Sequence, residues 1–258
     1  LDMKKTPFLI LTLLILGCSQ NQESQLSEIQ IFEKSEKTGT QEGLKELALL
    51  HKNYGLKYNN TEANNYLYAA AQYYFFENDT LESIPLLSEY IMRDDSSDRY
   101  RNAAINLAVM YSRINEYDKS QDLINEILDK NLPTPAQWQD IIKLYQDKIT
   151  DAAITLQPKD FENLTMGYTA VGRFNDAIKT LENAIMKWPK FENRKNLIYR
   201  AGFIAWEYLE DTDLAKKYYT QFLNEYPNDD KAPEVQEILN SGMLEMTDEA
   251  ILNMLKGK

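Results

Sequence analysis

The chain has almost none of the residues that carry metal-ion and nucleophilic chemistry. Its 258 residues include one cysteine, Cys18, and one histidine, His51. Zinc sites need several Cys or His ligands, and Ser-His-Asp or Cys-His catalysis needs a positioned imidazole. We therefore expect no metal, no cofactor and no catalytic residue. A carboxylate-only glycosidic site is the one chemistry that the composition leaves open, and the sequence marks no carboxylate pair for it.

Positive charge is also scarce. The chain carries 28 Lys and Arg residues against 40 Asp and Glu residues, which gives a formal net charge of −12. Nucleic acids and anionic lipid headgroups are poor partners for such a chain, because phosphate contacts need Lys or Arg. Any attachment to a membrane must therefore come from something other than surface charge.

Long apolar runs are missing except near the N-terminus. Residues 8–16 form one apolar stretch, about half of the roughly 20 residues that a membrane-spanning helix needs. It follows Lys4-Lys5 and precedes the small residue Gly17, an order typical of a secretory signal peptide. An uncleaved membrane anchor is the alternative interpretation.

The end of this stretch, Ile15-Leu16-Gly17-Cys18, resembles a bacterial lipobox. The resemblance implies cleavage before Cys18, attachment of lipid to its thiol and acylation of the new amino group. Residues 1–17 are then a lipoprotein signal peptide. The polar residues that follow lack apolar periodicity, so we predict that residues 18–25 are the lipidated cysteine and a flexible tether.

Helical periodicity dominates the rest of the sequence. Glycine totals nine, and alternating β-type runs are absent. Asn60-Thr61-Glu62 and Asp79-Thr80-Leu81-Glu82 carry side chains that can cap a helix start. The pattern predicts helices over residues 26–36, 42–57, 62–77, 81–92, 99–114, 117–130, 135–149, 160–172, 175–187, 195–209, 212–225, 231–240 and 247–256.

Four windows of these helices share one order of side chains: bulky, small, aromatic, small, bulky. The third window matches best, with Gly172-Arg173-Phe174 at its centre and Trp188-Pro189 at its end. This order resembles the tetratricopeptide repeat, whose usual period is about 34 residues. The equivalent small residues, which are 37, 57 and 38 positions apart, are Ser83, Ser120, Ala177 and Ala215.

The resemblance implies an all-α fold, a tetratricopeptide-like helix-hairpin solenoid of about 12 to 13 helices over residues 26–258. We place its repeats near residues 64–96, 101–133, 158–190 and 196–228. Between the second and third repeats we expect an irregular insert, 134–157, formed by one long helix or an irregular pair. We expect residues 231–256 to form C-terminal capping helices.

Signal, tether and repeats together resemble tetratricopeptide outer-membrane lipoproteins of the Bacteroidota kind. That resemblance implies a chain anchored to the outer membrane by its lipid. We expect it to face the periplasm, with the cell surface as the open alternative. Asp79-Thr80-Leu81 also resembles an O-glycosylation signal of exported proteins in that group; a helix cap explains the same residues without a glycan on Thr80.

In such an array the first helices of the repeats line a concave groove, which suits a peptide or helix of a partner. We predict a non-enzymatic scaffold or adaptor that binds envelope proteins or peptides, in outer-membrane assembly or maintenance. A lipoprotein that binds a glycan or peptide is the alternative. The residues predicted to line the groove are Tyr68, Gln72, Phe75, Phe76, Val109, Arg113, Met166, Arg200, Ile204 and Tyr208.

Overall fold

The computed structural model of the protein describes residues 21–93, 97–130, 133–150, 156–247, 249–250 and 252–253. Within these ranges every regular element is a helix. None of the described helices combines the length and apolar character that crossing a bilayer requires. Cys18 and the predicted signal peptide lie outside the described residues.

The chain divides into two compact units at a boundary just before Pro133. Unit 1 contains α1 over residues 21–33 and a 3-10 turn, Glu36–Gly39. Its other helices are α2 (Gln41–Lys57), α3 (Thr61–Phe76), α4 (Thr80–Arg93), α5 (Asp98–Arg113) and α6 (Tyr117–Lys130).

The part of unit 2 up to Glu245 that the structure describes has six helices, followed by a 3-10 turn, Met243–Glu245. The helices are α7 (Pro135–Thr150), α8 (Pro158–Ala170), α9 (Phe174–Lys187), α10 (Arg194–Glu207), α11 (Thr212–Glu225) and α12 (Ala232–Ser241). In both units, helices that are consecutive in the sequence pack against each other.

The four predicted repeats are four helical hairpins, α3–α4, α5–α6, α8–α9 and α10–α11, with the same turn. At the same point of each turn one residue has positive φ: Asn78 (59°), Asn115 (63°), Gly172 (74°) and Glu210 (52°). Gly and Asn adopt this left-handed conformation most readily, because other side chains crowd the backbone there. The recurrence confirms the tetratricopeptide-like hairpin register within each unit.

Helices cross closely where the sequence has glycine. A Cβ added at Gly55 would lie 2.7 Å from the backbone nitrogen of Leu67, so α2 and α3 touch at that point. A Cβ at Gly202 would lie 2.7 Å from the ring of Tyr219, between α10 and α11. At both positions a Cβ would be closer to its neighbour than side chains normally allow, so glycine permits the close approach of these helices.

Helix ends are satisfied by side chains that the sequence marks and by others that it does not. Asn60 Oδ1 accepts from the Ala63 amide at 2.8 Å, and Asp79 Oδ1 accepts from the Glu82 amide at 3.1 Å, as predicted. The C-terminus of α2 is capped from α4 instead: Arg93 Nη1 donates to the Gly55 carbonyl at 2.8 Å. Such charge-assisted bonds fix one hairpin against the next.

The structure differs from the predicted tether over residues 18–25. Its described part, residues 21–25, belongs to α1, so the chain is already helical five residues before the predicted first helix. Ile29, 1% exposed, anchors α1 in the core, and Gln22 Nε2 donates to the Tyr54 hydroxyl at 3.0 Å. These polar residues are helical because α2 supplies partners for them, which local periodicity cannot reveal.

Two further segments can be compared with the predictions. The predicted irregular insert, residues 134–157, contains the regular helix α7, which packs on α8. Residues 151–155 of the insert lie outside the described residues, so the choice between one long helix and an irregular pair stays a prediction. Of the predicted last helix, 247–256, the described residues 249–250 and 252–253 are helical, and the remainder lies largely outside the described residues.

Candidate functional site

The first helices of two neighbouring hairpins, α3 and α5, form one face of unit 1. Asn106 Nδ2 donates to Gln72 Oε1 at 3.0 Å across the two helices. At one end Arg113 Nη1 donates to Asn78 Oδ1 at 2.5 Å, and at the other Arg99 donates to Asn65 Oδ1. We call this surface the α3–α5 face; its members are Asn65, Tyr68, Gln72, Phe75, Phe76, Arg99, Asn106, Val109 and Arg113.

The structure therefore brings together six of the ten residues predicted to line the groove. They share a face because positions three, four and seven apart on a helix point the same way. Five of them stand outside the fully buried core, as a binding surface requires, and the sixth, Phe76, is 78% exposed. These six are Tyr68, Gln72, Phe75, Phe76, Val109 and Arg113.

The aromatic side chains of this face are only partly used by the core. Tyr68 is half-buried and its ring centroid lies 5.0 Å from that of Tyr90 on α4. Phe75 is half-buried and meets Phe76 edge to face at 5.4 Å. An exposed phenylalanine beside a half-buried one offers apolar area that a partner can cover.

The guanidinium groups of the face rest on these rings. Arg99 Cζ lies 5.7 Å from the Tyr68 ring centroid, and Arg113 Cζ lies 5.6 Å from that of Phe75. Both arginines are exposed, and both donate to neutral amide oxygens. Cation–π contacts hold the side chains in place without neutralising their charge.

The remaining predicted residues lie in unit 2, which we describe by itself. Met166 and Arg200 are half-buried, and Tyr208 is 44% exposed. Burial lowers the pKa of Arg200, and the negative charge of nearby Glu162 opposes that shift. The Tyr208 ring stacks on Phe174, with centroids 4.4 Å apart.

The prediction for Ile204 is wrong: its side chain is 1% exposed and belongs to the core. It shares the buried stripe of α10 with Leu197 and Ala201. Phe203, the preceding residue, is 37% exposed instead, with its ring centroid 5.9 Å from that of Tyr208. A shift of one position turns a side chain by about 100° around a helix, which is enough to separate a core position from an exposed one.

Two modification sites predicted from the sequence remain, Cys18 and the Asp79-Thr80-Leu81 signal. Cys18 lies outside the described residues, so its lipidation stays a prediction. Asp79 caps α4 as expected, while Thr80 is partly exposed and Leu81 is 88% exposed. The helix cap explains Asp79, and glycosylation of Thr80 stays a prediction.

His51 has a carboxylate partner that the sequence did not reveal. Its Nε2 lies 3.1 Å from Glu33 Oε1 on α1, and its ring centroid lies 4.7 Å from that of Tyr66. Burial lowers the pKa of His51, and the hydrogen bond to Glu33 opposes that shift. The contact ties α1 to α2 and α3, and the described residues contain no cluster of acidic, His or Cys side chains that could hold a metal ion.

Comparison with known proteins identifies no family. No family model matches the chain, and no curated protein matches it. Two solved structures of a Podosopora anserina chain, described as a kinesin light chain with nearly identical TPR-like repeats, align with it at 11% identity and a TM-score of 0.31. The alignments cover 81% and 84% of this chain and 98% and 96% of those chains, respectively.

Similarity at that level carries no argument about what this chain binds. The hairpins themselves carry the coarser conclusion. Helical-hairpin repeats stack so that their first helices present a continuous surface, and proteins of this class commonly use it to bind other proteins. The described residues form TPR-like helical hairpins, and this fold is what the structure establishes.

Proposed function

We propose that the protein is a non-enzymatic, lipid-anchored scaffold that binds partner proteins at the cell envelope through the α3–α5 face. The observation that carries the proposal is the convergence of six predicted residues on that face, where exposed Phe76 and two exposed arginines stand together. Aromatic residues and arginine are enriched at protein–protein interfaces relative to the rest of the protein surface.

The cellular location in this proposal rests on the sequence alone. The lysines, the apolar residues 8–16 and Ile15-Leu16-Gly17-Cys18 favour export and lipidation at Cys18. The lipid would hold the chain on the outer membrane, facing the periplasm, where a scaffold could serve membrane assembly or maintenance. An acidic surface favours attachment by lipid over attachment by charge.

The alternative, binding of a glycan, has less support from the side chains that usually stack on sugars. Trp138 is 3% exposed and therefore buried in unit 2. Trp188 packs edge to face on Phe161 at 5.0 Å, and Trp206 is half-buried. All three tryptophans are therefore buried or half-buried, whereas Phe76 is 78% exposed.

The experiment is crosslinking in cells followed by purification from membranes, with three proteins compared. We expect wild type to fractionate with the outer membrane and to crosslink to defined envelope proteins. Cys18→Ala should leave the membrane fraction, because the thiol that carries the lipid is gone. Phe76→Ala, an exposed position whose loss should not disturb folding, should stay at the membrane and lose the crosslinked partners.

Each part of the proposal can fail separately. Cys18→Ala remaining at the outer membrane would overturn the lipid anchor and leave the binding face intact. Retention of every crosslink by Phe76→Ala, together with an Arg113→Gln variant that also retains them, would overturn the role of the α3–α5 face. Leu81→Ala is the matched control, because Leu81 is equally exposed and lies outside that face.

A further inference from the structure

The arginines of this acidic chain fall into two groups. Four of the seven have a carboxylate within ion-pair distance: Arg93 with Glu89, Arg101 with Asp98, Arg173 with Asp176 and Arg194 with Glu225. The other three have no such partner among the described residues, and they are Arg99, Arg113 and Arg200. Two of these three stand on the α3–α5 face.

The charge of the face opposes that of the chain as a whole. Helix α5 carries Arg99, Arg101 and Arg113 against one acidic residue, Asp98, although the net charge of the protein is −12. Helix α3 adds Glu62 in its first turn and no other charged side chain. Arg99 and Arg113 have no ion-pair partner among the described residues, although the chain has an excess of carboxylates. Their guanidinium groups can therefore bind the carboxylates of a partner molecule.

From this arrangement we propose that the partner segment bound by the α3–α5 face is an extended acidic peptide with apolar residues between its carboxylates. This deepens the proposed function and rests on it. Arg99, beside Tyr68, binds one carboxylate of the peptide. Arg113 binds the other, and Phe75 and Phe76 at that end contact the apolar residues next to it. The Gln72–Asn106 pair lies between the two arginines. Electrostatic complementarity of this kind selects partners and speeds their association.

The length of the face sets the spacing of the acidic residues. Arg99 and Arg113 are 14 positions apart on one helix, and a rise of 1.5 Å per residue places their Cα atoms about 21 Å apart. An extended peptide advances about 3.3 Å per residue, so its two carboxylates should be separated by about six residues. A peptide much shorter than this reaches only one arginine.

Phosphate polymers such as nucleic acid could also accept hydrogen bonds from the two guanidinium groups. The observations nevertheless favour the acidic peptide. The net charge of −12 repels a polyanion over its whole length, whereas a peptide with two carboxylates and an apolar centre meets only the local charge of α5. The exposed Phe76 ring has no use in a phosphate contact. Inorganic polyphosphate therefore serves as a competing probe in the test.

The experiment measures the binding of fluorescein-labelled peptides by anisotropy. The first peptide carries two glutamates about six residues apart with phenylalanine and leucine between them. The second has lysine in place of each glutamate, and the third has glutamine. We expect the glutamate peptide to bind at least about tenfold more tightly than the other two, since each lost charge-assisted hydrogen bond alone can account for a factor of that order.

Variants test whether the two arginines are responsible. The double variant Arg99→Gln/Arg113→Gln should lose affinity for the glutamate peptide by at least about tenfold, and 0.5 M NaCl should weaken wild-type binding in the same direction. Arg173→Gln is the matched control: an exposed arginine in unit 2, already paired with Asp176 at 2.7 Å, loses the same charge. Circular dichroism of each variant checks that the helices are retained.

Failure of the inference differs from failure of the proposed function. Equal binding of the glutamate and glutamine peptides, tighter binding of the lysine peptide, or no effect of the double variant would overturn the acidic partner while a protein partner remained. Binding of polyphosphate without the glutamate peptide would overturn it as well, and so would self-association abolished by the double variant. Retention of the envelope crosslinks by Phe76→Ala and Arg113→Gln in cells would instead overturn the proposed function itself.

Discussion

Units 1 and 2 are built from the same hairpin and both bury an apolar core, but unit 2 also places an ion pair inside its core. In unit 1 the helices α2 to α5 meet in an apolar cluster whose buried members are Ala48, Leu67, Ala70, Ala71, Tyr74, Leu86, Leu87, Tyr90, Ala103, Leu107 and Met110. In unit 2 the α7–α8 contact holds a buried ion pair, with Lys148 Nζ 2.6 Å from Asp160 Oδ1. Beside it Asn163 Nδ2 donates to the Tyr145 hydroxyl at 2.8 Å.

The difference shows what each unit can tolerate. Apolar packing depends on volume and shape, so it accepts many substitutions at moderate cost. A buried polar network depends on every partner being present, because a single removal leaves a charge without compensation in a poorly solvated place. Unit 2 should therefore be the more sensitive to one substitution, and unit 1 the more tolerant.

Removal of Asp160 should have the largest effect. Asp160→Ala leaves the Lys148 ammonium buried without its carboxylate and removes the acceptor of the Gln157 amide at 2.8 Å. We expect a loss of about 3–5 kcal/mol in the free energy of unfolding, measured by urea denaturation.

The double variant Lys148→Met/Asp160→Leu separates charge from packing. It removes both charges and fills similar volume, so it should recover most of the stability that Asp160→Ala loses. A double variant as unstable as the single one would show that the buried charge is not the cause.

Glycine substitutions at the helix crossings should come next and should differ between the units. In Gly55→Ala the new Cβ meets the backbone of Leu67 at 2.7 Å, whereas in Gly202→Ala it meets the side chain of Tyr219 at the same distance. A ring can turn and a packed backbone cannot, so we expect Gly55→Ala to cost about 2–3 kcal/mol and Gly202→Ala about 1 kcal/mol. Thermal unfolding measures both, and Gly39→Ala, with open space around its Cβ, is the control.

A smaller effect with the opposite sign is expected at the turn of the last hairpin. Glu210 adopts the left-handed conformation, φ 52°, that Gly172 adopts at the equivalent position of the preceding hairpin. Glu210→Gly should therefore raise the free energy of unfolding by about 0.5–1 kcal/mol, the backbone strain less the extra entropy of an unfolded glycine. Destabilisation by this substitution would contradict the equivalence of the turns.

The smallest effect should be a dependence on pH that comes from unit 1, which holds the only histidine of the chain. Burial lowers the pKa of His51 below its usual 6.5 in the folded state. The unfolded chain then binds a proton before the folded chain does, so stability is full above pH 6.5 and falls as pH drops towards the lowered value. Urea titrations of wild type and His51→Gln between pH 7.5 and about pH 5 should diverge, with the flatter profile in the variant.

The helices and the repeat register could be predicted from the sequence because each depends on local order. Asn60 and Asp79 cap their helices as expected, and the equivalent turns at Asn78 and Gly172 follow the repeat. These features need only neighbours within a few residues, where periodicity and capping rules apply.

The features that the sequence missed depend on contacts between distant elements. The early start of α1 depends on partners in α2, as the bond from Gln22 to Tyr54 shows. The contact of His51 with Glu33 joins residues 18 positions apart. In the predicted groove, Ile204 is buried and Phe203 is exposed because the side of α10 that faces the core is set by the packing of neighbouring helices.

The central claim is that the α3–α5 face of unit 1 binds a partner protein. Site-specific photocrosslinking in cells tests it most directly, with a photoreactive amino acid at Val109 on the face or at the exposed Asp122 on α6. The account predicts a defined crosslinked partner from Val109 that Phe76→Ala removes, and none of that product from Asp122. The same product from both positions, or a product from Asp122 only, would contradict the claim.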